Sequence, residues 1–164
     1  MEVVARRAGA GDVDEVARLV RVALEAVAGQ RGADQWLVTD APGVPGPAEL
    51  DDDAMPVWLV GCIDDVPVGV AAASERRWRD GRTVVRADLV YVEPGAREVG
   101  VGEALVDALL ALAAGRGAVA RSVGASGTLC PCSLLADGFI DDQSEFAGAA
   151  TVGWDCITSI IMGG

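Results

Sequence analysis

The chain has 164 residues, 51% hydrophobic and 23% charged, with a formal net charge of −12 and no histidine. That length and apolar share predict one globular domain over residues 1–164, large enough to bury a core without staples. The acidic balance excludes nucleic acid as an expected partner, because a phosphate backbone attracts the opposite sign. Without histidine, Ser-His-Asp triads, Cys-His dyads and histidine metal sites fall together.

No run reaches the ~18 apolar residues of a membrane span, so no membrane partner is expected. The first residues, with Glu2, Arg6 and Arg7, lack a hydrophobic signal core, and the expected location is the cytoplasm. Cys62, Cys130, Cys132 and Cys156 include one C-x-C pair and no zinc-ligand spacing. They read as unpaired thiols in a reducing compartment, and no metal is predicted.

In chain order, Glu2 to Arg7 alternates as a first strand. Asp12 is placed to cap a helix, with Glu15 three positions on to return the bond. Val16, Leu19, Val20, Ala23, Leu24 and Val27 mark one face of that helix to about Ala28. Trp36 and Leu37 fall on a short second helix, and Ala41 to Pro47 is a loop by its proline and glycine content. The acidic run Asp51 to Asp53 reads first as a solvated turn. Val57 to Ile63 and Val66 to Ala73 form a hairpin across Asp64-Asp65. A charged connection from Glu75 to Arg82 carries Trp78 and turns at Asp80-Gly81.

The stretch from Thr83 to Ala114 is the densest in information. Thr83 to Val92 is a β-branched strand stopped by Pro94. Arg97-Glu98-Val99-Gly100-Val101-Gly102 follows, and Leu105, Val106, Leu109, Leu110 and Leu112 recur at helical spacing. Glycines at a helix N-terminus allow close approach to the backbone, and the unpaired N–H groups of the first turn suit a phosphate or pyrophosphate. A dinucleotide fingerprint would need Gly or Ala where Leu105 stands, and no P-loop Gly-Lys-Ser/Thr is present.

Arg97-x-x-Gly100-x-Gly102, with Val92-Glu93-Pro94 before it and an amphipathic helix after it, resembles the acyl-CoA pyrophosphate loop of the GNAT N-acetyltransferases. The resemblance implies an α/β (α+β) fold with a mixed, mostly antiparallel sheet flanked by helices, in the order β-α-(α)-β-β-β-α. A parallel strand is then expected over about Ala118 to Val123. It implies acetyl-CoA as cosubstrate, and a small-molecule or peptide primary amine as the acceptor that attacks it directly. A homodimer is compatible with it. The implied cofactor contacts are Tyr91 and Val92 on the strand, then Arg97, Val99, Gly100, Val101, Gly102 and Glu103. The Ala41–Pro47 loop is implied on the acceptor side.

Residues 1–123 carry the pattern, and residues 124–164 depart from it. The family would supply a helix there with an Asn or Tyr near its start, and Tyr91 is the chain's one tyrosine. Ser133 to Phe139 is expected as a remnant of that helix end. A frame-shifted tail would explain the change of composition. It would leave a CoA-binding, catalytically impaired homologue as one alternative, beside a nucleotide- or anion-binding α/β module. Amine acylation needs a base, and without histidine that base is a carboxylate. Glu93 is the first candidate and Asp88 the second. Period-two alternation puts Asp88 with Val90 and Val92 on one face and Glu93 with Leu89 and Tyr91 on the other, so only one acid is expected to face the substrate.

Overall fold

The computed structural model describes residues 1–28, 33–39, 41–51, 55–77, 79–117, 119–122, 132–135 and 138–141. Within them β1 (Val3–Arg7) leads through a 3-10 turn at Ala10–Asp12 into α1 (Val13–Ala28). The short helices α2 (Ala33–Thr39) and α3 (Pro47–Asp51) flank a loop. Strands β2 (Val57–Ile63), β3 (Val66–Arg77) and β4 (Thr83–Val92) precede α4 (Val101–Gly115). Strands β5 (Val119–Ser122), β6 (Cys132–Leu135) and β7 (Gly138–Asp141) follow it.

The strands form one sheet in sequence order. Every neighbouring pair is antiparallel except β4 and β5, which run parallel because α4 carries the chain back between them. The mixed, mostly antiparallel sheet flanked by helices is the predicted architecture. The hairpin turn is as predicted too: Asp64 and Asp65 take φ of 47° and 68°, the left-handed pair that matches the twist of the flanking strands.

The two faces of the sheet bury separate cores. On one, Trp58, Val60, Cys62, Val70, Ala72, Leu89 and Tyr91 pack against Val16, Leu19, Val20 and Ala23 of α1. On the other, Val57, Leu59, Ala71, Ala73, Val85, Val90 and Val92 pack against Val101, Leu105, Leu109 and Ala113 of α4. The strict alternation of β2 between these lists is why it reads as a continuous apolar run.

Helix α4 comes unusually close to the sheet at Gly61 and Gly69, which oppose each other across β2 and β3. A Cβ on Gly61 would sit 2.7 Å from Val101 Cγ1, and one on Gly69 would sit 3.1 Å from Leu105 Cδ1. The glycine pair is thus a seat for the first turns of α4 (a packing role that the sequence pattern did not reveal).

Several local expectations change. Asp12 does not cap α1. Its carboxylate takes two hydrogen bonds from Arg6, at 2.7 and 2.8 Å, and one from the Gly9 N–H at 2.9 Å. The Arg6 guanidinium therefore holds Asp12 below the usual carboxylate range. Glu15 pairs with Arg18 instead of returning a capping bond. Strand β3 runs on to Arg77, since Glu75, Arg76 and Arg77 pair with Val85, Val84 and Thr83 of β4. Ser133 and Phe139 lie on strands β6 and β7, not on a helix end. Trp78, Asp52, Asp53, Cys130 and Cys156 lie outside the described residues; Cys62 is buried and unpaired.

Substitution Gly61→Val tests the seat. It is expected to cost about 1–3 kcal/mol, as overpacking does, read by urea unfolding. Gly9→Ala, where a Cβ meets nothing within 4 Å, is expected to stay within about 0.5 kcal/mol.

Candidate active site

Strand β4 carries one residue more than β3 can pair. Ala72 opposes Leu89 and Ala73 opposes Ala87, so Asp88 is the extra residue of a β-bulge. A bulge bends its strand and breaks the alternation of faces. Arg86 and Asp88 accordingly face the same cleft as Trp58, Ser74 and Arg76, while Leu89 and Tyr91 continue on the α1 side. Asp88 is thus not grouped with Val90 and Val92, which pack under α4. Asp88 and Glu93 both stand on the α1 side, contrary to the alternation expected from period two.

Among the described residues the pairing of β4 with β5 ends at Ala87 and Ser122, one position before the bulge. Beyond the bulge, β4 runs on through Val92 to the loop before α4. The loop is held to the strand it leaves: Arg97 Nε donates to the Val92 carbonyl at 3.1 Å. Glu98 takes φ of 67° and Gly100 φ of 93°, two left-handed turns in three residues that aim the chain into α4. Gly100 stands at the helix N-cap with no side-chain capping bond. The first-turn N–H groups of α4 thus meet no side-chain acceptor at the cap. Val99 and Val101 turn their side chains into the α4-side core, so what they present outward is backbone. Gly102 is half-buried and Glu103 exposed.

The cleft itself is about 290 Å³. Its walls are the loop from Ala41 to Pro45, Glu49 of α3, and Pro56, Trp58, Ser74, Arg76, Arg86 and Asp88. Asp88 is 6% exposed and accepts from Arg86 Nε at 2.5 Å. Burial pushes its carboxyl above the usual carboxylate value, against the pull of Ser74, Arg86 and Arg76. The Ser74 hydroxyl acts there by nearness only, for its Oγ satisfies no hydrogen-bond geometry. Trp58 Nε1 is likewise buried without a partner.

Glu93 is committed elsewhere. Its carboxylate lies 2.5 Å from Arg18 Nη1 of α1, which also pairs with Glu15. The two carboxylates keep Arg18 firmly protonated. Tyr91 is buried in the α1-side core, where desolvation raises its hydroxyl above the usual value.

A strand bent by a bulge, a glycine-capped helix start beside it and an acid-lined cleft on the opposite face invite comparison with known proteins. The sequence profile of the Acetyltransferase (GNAT) family matches residues 33–126, more than half of the chain. The chain belongs to this family.

This GNAT chain resembles solved structures in fold at low identity. A ribosomal-protein-alanine N-acetyltransferase from Brucella melitensis biovar Abortus 2308 aligns at TM-score 0.56 and 23% identity, covering 75% of this chain and 79% of that one. AAC(6')-Iy, solved with the bisubstrate analogue CoA-S-monomethyl-acetylneamine, gives 0.55 and 21% over 74% and 79%. A predicted acetyltransferase from Clostridium acetobutylicum, solved with acetyl-CoA, gives 0.54 and 15% over 75% and 81%. No curated protein matches the chain. Among the described residues no helix is long and apolar enough to cross a membrane.

The structure thus brings Val92, Arg97, Val99, Gly100, Val101, Gly102 and Glu103 to one strand–loop–helix junction, sets Asp88 in the cleft on the α1 side, and turns the side chain of Glu93, next to Val92, to Arg18 of α1. Sequence reasoning missed Arg18, Trp58, Ser74, Arg76 and Arg86. Arg86 had a usable signal, a charge two residues from Asp88 in an otherwise apolar strand. The remainder come together only through tertiary packing.

The buried acid gives a pH prediction. With its folded pKa above its unfolded value of 3.8, Asp88 binds a proton more tightly in the fold. Its contribution to stability is therefore full below that value and declines as pH rises through the raised pKa. Asp88→Asn, which cannot ionise, is expected to remove this decline, leaving a constant offset from Arg86. Urea unfolding of both proteins between about pH 3.5 and about pH 7 would read it.

Proposed function

We propose that this GNAT acetyltransferase moves an acetyl group from acetyl-CoA to a primary amine of a small molecule or peptide. The observation that carries the reading is the bulge at Asp88, which turns an acid into the cleft on the strand that leads to the glycine-capped start of α4. The first-turn N–H groups of Val101, Gly102 and Glu103 are suited to the pyrophosphate, and the helix dipole adds to their attraction. Arg97 and the backbone of Val99 and Gly100 border the same site, and the backbone of Tyr91 and Val92 is offered to the thioester arm. The structures with acetyl-CoA and with a CoA bisubstrate analogue support acetyl-CoA as the donor here.

The amine nitrogen attacks the acetyl carbonyl carbon, a C–N bond forms and the C–S bond breaks. CoA leaves as a thiolate and takes a proton from water. The proton lost by the amine goes to a carboxylate, directly or through one water. Asp88 is our choice for that role, because it lines the cleft and burial raises its affinity for a proton. Glu93, held by Arg18, is assigned to fixing α1 against the end of β4. Positioning of amine and thioester supplies much of the rate.

Thermal unfolding with acetyl-CoA at 100 times its dissociation constant should show stabilisation by about 2.7 kcal/mol, lost in Gly102→Glu. Thiol release with an amine panel should fall by about 10²-fold or more in Asp88→Asn. No thermal shift in a cooperatively folding protein would remove the donor assignment. A shift with no turnover of any amine would indicate a CoA-binding protein without transferase activity.

A further inference from the structure

We infer that the acceptor carries a carboxylate beside its amine, as a free amino acid or a short peptide with a free C-terminus does. This rests on the acetyl-transfer reading above and specifies its substrate. Among the described residues two acids line the cleft: Asp88 accepts from Arg86, and Glu49 Oε2 accepts from the Gly46 N–H at 2.7 Å. Its donors are less fully used. Trp58 is 3% exposed, and its indole N–H, which can only donate, meets no acceptor. The buried Ser74 hydroxyl is also unpartnered. Arg76 stands exposed at the same cleft and makes no ion pair among the described residues, yet lies near enough to Asp88 for its charge to favour the carboxylate.

A pocket with surplus donors, a guanidinium and a buried acid matches a ligand of the complementary kind. The carboxylate oxygens accept from Arg76 and from the donors of the cleft, and the amine is directed toward Asp88. An Arg–carboxylate contact is charge-assisted and can be bidentate. Arg76 and Arg86 at the same cleft oppose a polycation. The volume, about 290 Å³, is at the small end of ligand sites. The apolar wall of Pro42, Val44, Pro45 and Pro56 suits a compact side chain.

The test is calorimetric binding to the full chain without acetyl-CoA, so that it stands apart from any failure of the donor assignment. L-amino acids and dipeptides are each compared with their C-terminal amides, with spermidine as the polycation. The free acids are expected to bind about tenfold more tightly than their amides. Arg76→Gln should bring that ratio close to one, while Arg76→Lys keeps most of it. Trp58→Phe, which retains the ring and removes the N–H, should weaken the acids several-fold. Amides binding as well as acids, a preference for spermidine, a ratio unchanged in Arg76→Gln, or no binding by any compound would each overturn the inference.

Discussion

The extra residue at Asp88 governs the geometry of this molecule more than any other single feature. Before it, β4 is paired on both sides, to β3 and to β5. After it, the strand stays paired to β3 as far as Val92. One inserted residue also changes which face a side chain meets, since strand side chains alternate with a period of two. The bulge therefore does two things at once. It places an acid in the cleft on the α1 side, and it bends the strand that runs into the α4 loop.

The electrostatics of the cleft follow from competition between burial and nearby charge. Burial alone disfavours an ionised Asp88, and Arg86 and Arg76 offset part of that penalty. The net result is a carboxyl with a raised proton affinity, as a base that must collect a proton from an ammonium requires. Glu93 has a different role. Half-exposed and clasped by Arg18, it works as a charge tie between α1 and the end of β4, and such a tie between partly exposed groups contributes only modestly to stability.

On the other face, the position of α4 depends on absent atoms. Gly61 and Gly69 let Val101 and Leu105 approach where a Cβ would clash at Gly61 and crowd at Gly69, and the left-handed Glu98 and Gly100 turn the chain into that seat. The N-terminus of α4 is thereby fixed relative to the end of β4 by packing of its first turns, and Arg97 ties the intervening loop back to Val92. The phosphate site proposed at this junction would rest on that close packing.

Much of the architecture was legible in the sequence. The apolar runs of β2 and β3, the Asp64-Asp65 turn, the apolar stripe of α1 and the strand–glycine loop–helix from Thr83 onward are local patterns, and each marks an element that forms as expected. The family resemblance rested on the same local stretch, Arg97 to Gly102, and the profile match agrees with it. What only the tertiary structure decided was which groups meet. Asp12 turned back to Arg6 because that strand residue is delivered beside it by the fold. Glu93 found Arg18, 75 residues away, and the cleft gathered Trp58, Ser74, Arg76 and Arg86 from three strands. The bulge itself could not be read from β4 alone, because a bulge is a mismatch in length between two strands and belongs to neither. Local periodicity determined the elements; the register between them, a non-local quantity, determined the site.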